Sequence, residues 1–412
     1  MRPVTLRCGL SIAALAAAAL LGSCASETAA TRAEAEAARI AAEVAARTPP
    51  RIRLNQSVAD AAAVYLAFSR DMAALEGGFT SPDQIQAALR RGAAYDPEQI
   101  SRGLVAYASI LALQSPEFVE GVRGLADDQA GRERIVARIV ADPSYASTLP
   151  GAQAAAGIVM STLGSNIEAL GRAATSIEND AYAIQEPWDR RRSWAMAEVR
   201  DRQGRLDLAK AQSVRITPSS EEAARLYQAA HSGGGALPVS GNPRRPPYPP
   251  AVTNALALAA LAALGYAGEN ARANTDALQF DRVSQGCLTM SKLNLFQCLA
   301  ASRPNYEDMF CLGRHIVRDL ATCSRGAAMP APIVTVSDVV TDEPPPRAEP
   351  IVITPESDAP AAPPAAPPPA PPVIRVPVQP APAPAPRPEP TPPPPGSITE
   401  RLNTQPNGAR PQ

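Results

Sequence analysis

The chain has 412 residues, 45 of them proline, and its 39 basic and 40 acidic side chains leave a formal net charge of −1. Near-neutral charge with Arg and Glu interspersed offers no electrostatic footprint for nucleic acid and no basic block for an anionic membrane surface. Well over half of the prolines lie beyond Met329, which confines a packed core to roughly residues 50–326, long enough for one large or two smaller domains.

Residues 1–23 read as a signal peptide. Arg2 and Arg7 form a short positive segment, and Leu10 to Leu21 form an apolar stretch too short to span a bilayer. Leu21-Gly22-Ser23-Cys24 follows and resembles the lipobox of bacterial lipoproteins. That resemblance implies that Cys24 is acylated and becomes the new N-terminus, with membrane lipid as its partner; ordinary cleavage after Ala25, giving a soluble periplasmic product, is the alternative. Ala25 and Ser26, with no Asp directly after the Cys, imply passage to the outer membrane. The expected location is the periplasmic side of the cell envelope.

Residues 24–50 are expected to form a lipid-anchored helical stalk, because 27–47 are Ala, Glu and Arg with little to bury and Pro49-Pro50 ends the run. The fold class expected beyond it is all-α, with a helical bundle over 51–231. Ser57, Ser81-Pro82, Asp96-Pro97, Ser115-Pro116 and Asp142-Pro143 all carry helix-start chemistry, and four of the five place proline at the first helical position. Such closely spaced starts predict short helices joined by tight connections.

From Gly151 to Ile184 the pattern predicts one long helix, with Gly157, Gly164 and Gly171 recurring every seven residues. Leu163, Leu170, Ile177, Met160 and Ile167 flank that stripe, so the glycines are expected to admit a second helix closely. Pro187-Trp188 is expected to open another helix reaching Lys210, with Trp188 and Trp194 as separate packing anchors and Arg190-Arg191-Arg192 on a solvated face. Residues 232–250 form the longest Gly/Pro stretch inside the core region and read as a loop or linker.

The motifs that carry chemistry are sparse. His231 precedes a glycine run, but no G-x-S-x-G nucleophile elbow and no G-K-[ST] exists, and His315 is the one other histidine. These parts assemble neither a three-His zinc site nor a Ser-His-Asp relay, and no cofactor or metal is expected. Asp127/Asp128, Glu178/Asp180 and Glu221/Glu222 are carboxylate pairs expected on helix surfaces.

Residues 251–326 are expected to be helical and to end in a disulfide hairpin. Cys287, Cys298, Cys311 and Cys323 divide a helix, a turn through Ser302-Arg303-Pro304-Asn305 and a second helix. Cys311 and His315 have metal-ligand spacing, but an exported chain turns an even set of Cys into disulfides. Cys287 and Cys298 would lie roughly 16 Å apart along one helix, far beyond the ~7 Å limit for bridged Cα atoms. An antiparallel return therefore predicts nested pairing, Cys298 with Cys311 and Cys287 with Cys323. The layout resembles the helical hairpins of twin C-x9-C proteins over residues 283–325, with ten and eleven intervening residues here, a shared way of stapling two helices.

Residues 327–412 form a Pro-rich tail of Ala-Pro and Pro-Pro repeats expected to be disordered and locally polyproline II, with a reach on the order of 200 Å. The expected function is non-enzymatic: a cell-envelope lipoprotein acting as structural tether or adaptor, whose tail engages an unidentified envelope protein or the cell wall. The alternatives are a periplasmic module holding an apolar ligand between the glycine stripe and residues 251–264, and a cell-wall enzyme without recognisable motifs.

Overall fold

The computed structural model of the chain describes residues 31–44, 51–125 and 128–331. The expected signal peptide, Cys24 and the tail beyond residue 331 lie outside the described residues. Residues 31–44 form helix α1, exposed on every side, as its Ala/Glu/Arg composition predicts. Among the described residues there is no strand, only two isolated bridges, Leu54 with Ala267 and Glu198 with Pro304. The fold is all-α.

Local capping sets the helix starts. Helices α3 (Pro82–Ala93), α4 (Pro97–Ala112) and α5 (Pro116–Gly124) begin after Ser81, Asp96 and Ser115, whose side chains accept from the backbone N–H groups of Gln84, Gln99 and Phe118. The first start differs from expectation: α2 (Gln56–Ala73) is capped by Asn55 rather than by Ser57. Asn55 has both donors and an acceptor to offer. Its oxygen accepts from Val58 N–H and the Ser57 hydroxyl, while its amide donates to Ala267 O at 3.2 Å and Thr275 Oγ1 at 2.8 Å, which ties a buried cap to a distant loop. Asp128 caps α6 (Gln129–Ala141), and Asp142-Pro143 opens a short 3-10 turn over Pro143–Thr148.

Helices α2 and α4 pack closely because Gly103 has no side chain; a Cβ there would meet the Ala61 carbonyl and lie 2.7 Å from Tyr65 Cβ. Helix α11 (Pro250–Ala263) is apolar nearly all round, and every residue of it but Pro250, Thr253 and Asn254 is buried against α4 and neighbouring elements. The segments before and after 232–250 therefore share one core, and that stretch is a strap lying on it. Gln114 Oε1 accepts from the N–H groups of Ala236 and Leu237, and Arg244 N–H donates to Gln153 O.

The long helix α7 (Ala152–Ala183) forms as expected, and Met160, Leu163, Ile167, Leu170 and Ile177 are buried. Its glycine stripe does not seat a helix. Gly157 admits the backbone of Asn242 in the strap, Gly164 has only the Met329 methyl at 3.9 Å beside it, and Gly171 faces open space. A seven-residue repeat drifts about 20° per heptad round a straight helix, so the three positions point progressively apart.

The helix expected from Pro187 to Lys210 is broken into α8 (Arg192–Ala195) and α9 (Arg202–Ala211). Backbone pairing interrupts it: Val199 N–H donates to Arg303 O, Asn305 N–H donates to Ala197 O, and Asp201 then caps a new start. Trp188 is 79% exposed and anchors nothing, whereas Trp194 packs against the core. Arg191 is not on a solvated face either; it bridges Asp180 and Asp189, both at 2.8 Å, and closes the turn after α7.

Helix α10 (Ser220–His231) packs on α2, and α12 (Arg272–Leu278) leads into the hairpin. Its outgoing helix is α13 (Arg282–Ala301); the return runs through α14 (Asn305–Leu312), a π-helical turn over Gly313–Arg318, and α15 (Asp319–Ala328). Cys298 is bonded to Cys311 beside the turn and Cys287 to Cys323 at the base, with Cα separations of 5.7 and 5.5 Å. The return has one more residue between its cysteines than the outgoing helix. A π turn absorbs one extra residue, which keeps both pairs in register. Because the outer bridge closes the longer loop, replacing Cys287 and Cys323 by Ala should cost about 4 kcal/mol and replacing the inner pair about 3 kcal/mol, read by urea unfolding. A larger loss at the inner pair would contradict this loop-closure account.

Candidate functional site

A cleft of about 590 Å³ is bounded by α3, the turn before α9, α9 itself and the start of α14. Trp194, Val199 and Leu208 supply apolar surface, and Arg90, Arg200 and Asp83 supply charge at its edges. Its back wall follows from an unmet need of the hairpin. The last carbonyls of α13 have no intrahelical partners. Arg202 and Arg205, three residues apart on one face of α9, reach them: Arg202 donates to Ala300 O and Ser302 O, both at 2.9 Å, and Arg205 donates to Leu299 O.

Arg205 and Asp308 form a buried ion pair. Asp308 also accepts from Gln86 Nε2 and from the Ser302 hydroxyl, each at 2.7 Å, so its charge has three donors and ties α3, α9, α13 and α14 together. Removing one partner of such a pair strands the other's charge. Asp308→Asn should therefore lower stability by about 3–5 kcal/mol, while Arg205→Met combined with Asp308→Leu should recover much of that loss. Urea unfolding of the three proteins measures this, and an Asp308→Asn variant as stable as the parent would contradict it.

Lys292 is the most perturbed base. It is buried, its Nζ donates to Ala93 O at 2.7 Å, and it lies 3.4 Å from the centroid of the Tyr95 ring. Ala93 ends α3, so the amine serves as a C-terminal cap that fastens α3 to α13. Burial pulls its pKa down from 10.5 to about 7, with Asp96 opposing. Between those values the unfolded chain holds a proton that the folded chain has lost, so stability rises with pH across that window by up to about 1.4 kcal/mol per unit. Burial pushes the phenols of Tyr65, Tyr95 and Tyr107 up, which reverses the slope above about pH 10. In urea melts from about pH 7 to 10, Lys292→Met should remove the gain; an unchanged slope in the variant would contradict the assignment.

His231, His315 and several of the carboxylates singled out in the sequence are engaged structurally. His231 Nδ1 donates to Tyr227 O at 2.7 Å while its Nε2 accepts from Leu54 N–H. His315 pairs with Asp319. Glu178 holds Arg318, Asp180 accepts from Gly78 and Phe79 N–H, and Glu222 holds Arg70 and Arg225. Asp128 is a helix cap, and Asp127 lies outside the described residues. Residues 251–264, expected to line an apolar ligand site, are packed into the core, and the cleft lies at α3 and α9 instead. Among the described residues no three His, Cys, Asp or Glu side chains converge as metal ligands, and no helix is long and apolar enough to cross a membrane.

Arg205, Asp308 and Lys292 did not stand out in the sequence. One signal was present for the last: Lys292 is the single charged residue between Arg282 and Arg303, and a lone charge inside a helix of otherwise uncharged residues marks a buried, partnered group. Compared with known protein families, curated proteins and solved structures, the chain matches none.

Proposed function

We propose that the protein is an exported envelope lipoprotein that works as a tether or adaptor. Cys24 would hold it to the membrane, the disulfide-stapled bundle would act as its rigid body, and the Pro-rich arm after Met329 would engage an envelope protein or the cell wall. The observation that carries this reading is the pairing of all four cysteines of the described residues in two bridges, the chemistry of an oxidising compartment, downstream of a signal-like segment and lipobox. Near-neutral charge and a proline load suited to polyproline II fit an extended arm that raises the effective concentration of whatever its end binds.

The cleft of about 590 Å³ favours a second reading, a binding module, since its volume falls in the range of small-ligand sites. One experiment separates the two. Excising residues 360–395 while keeping 397–412 should impair partner capture and leave bundle stability unchanged, and a flexible spacer of equal reach should restore capture. Cys24→Ser should in parallel release the protein from membranes. A chain truncated after Ala331 that supports every envelope phenotype would contradict the tether, and a ligand recovered with that truncated chain would favour the binding module.

A further inference from the structure

The cleft between α3 and α9 is lined by two side-chain amides whose nitrogens are committed and whose oxygens are not. Asn305 is 5% exposed, and its Nδ2 donates to Trp194 O and Ala197 O, both at 2.9 Å. Both amide hydrogens are thereby spent, the orientation of the group is fixed, and Oδ1 is left without a partner among the described residues. Gln86 repeats the pattern: its Nε2 donates to Asp308 at 2.7 Å while its Oε1 accepts from no described residue. The wall therefore presents two acceptors held in place by buried partners. Beside them lies apolar surface from Trp194, Val199 and Leu208. At the exposed rim stand two acids, Asp83 and Glu198, and two bases, Arg90 and Arg200; none of these four side chains is held in an ion pair or hydrogen bond among the described residues.

Each of these features restricts the ligand. Fixed carbonyl oxygens call for a hydroxyl or an N–H and offer nothing to a carboxylate or phosphate. Free charges of both signs in equal number mean that a ligand of net charge meets repulsion from half of the rim. A hydroxyl suits both signs, because it donates to Asp83 or Glu198 and accepts from Arg90 or Arg200. The apolar strip requires that one side of the ligand carry C–H groups. We propose that the cleft binds an uncharged sugar, a short stretch of glycan with hydroxyls toward Asn305 and Gln86 and a C–H face against Trp194. The proposal rests on the reading of the cleft as a ligand site and adds the class of ligand to it. The volume of about 590 Å³ lies inside the range of about 300–1,000 Å³ that small-ligand sites occupy.

The chain has two tryptophans, so Trp188→Phe leaves Trp194 as the one reporter, and Trp188 is exposed enough for that change to spare the fold. In the full chain carrying it, titration with maltotriose, cellotriose and the trisaccharide of N-acetylglucosamine should give, for at least one of the three, a saturable change in Trp194 emission. A dissociation constant on the order of 0.1–1 mM is expected, since a handful of contacts must offset the cost of ordering the sugar. It should be the same in about 50 mM and about 500 mM salt, because the ligand carries no charge. Leu208→Glu should weaken binding about tenfold and Arg90→Ala with Arg200→Ala severalfold, both with the thermal unfolding midpoint unchanged, as these side chains are exposed. A sugar response indifferent to both variants would place the site elsewhere and overturn the proposal. A saturable response to trialanine with none to the sugars would replace the sugar by a zwitterionic peptide and leave the binding module standing. No response to sugars or peptide would overturn the proposal and the binding-module reading together.

Discussion

The turn of the C-terminal hairpin buries Leu299 and Ser302 at the end of α13, and Arg205 donates to the Leu299 carbonyl at the cost of burying a charge. Asp308 compensates the charge, and Gln86 and Ser302 complete the hydrogen bonding of the carboxylate. Buried ion pairs contribute little net stability over an apolar substitute, but they tolerate few arrangements. Here the pair locks four helices in one geometry. The two disulfides act on the same element from the other side, restricting the unfolded chain where the ion pair restricts the folded one.

The rest of the bundle is built on different means. Helix α11 is an alanine- and leucine-rich rod that brings no polar group into the centre, so its packing depends on small volumes and close approach rather than on directional bonds. Gly103 and Gly157 serve the same end, one admitting a helix and the other the strap. Buried polar ties between distant parts of the sequence include those of the hairpin and of Asn55.

Much of the fold was legible in the residues because it was local. Ser81, Asp96 and Ser115 cap the helices that their spacing predicts, and a helix–turn–helix with cysteines at its two levels admits one pairing geometrically. What escaped was decided by tertiary partners. Asn55 outcompetes Ser57 because Ala267 and Thr275, more than two hundred residues away, satisfy its amide. Residues 187–210 have helical composition, yet backbone pairing with Arg303 and Asn305 breaks them at Ala197–Val199. The glycine stripe carried a regular spacing without a partner helix to read it. The Arg205–Asp308 pair was invisible for the same reason, since nothing local distinguishes it from other Arg and Asp residues on helix faces.

These features describe a helical body held by two disulfides and a buried ion pair. That view makes one statement about the protein in its own cell: the hairpin cysteines are bonded before any reagent is added. Alkylating the protein in intact cells, then reducing it and alkylating with a second reagent of different mass, reads the state of each cysteine directly. The account predicts that Cys287, Cys298, Cys311 and Cys323 carry only the second label. Folded protein with the first label on any of these four would contradict it.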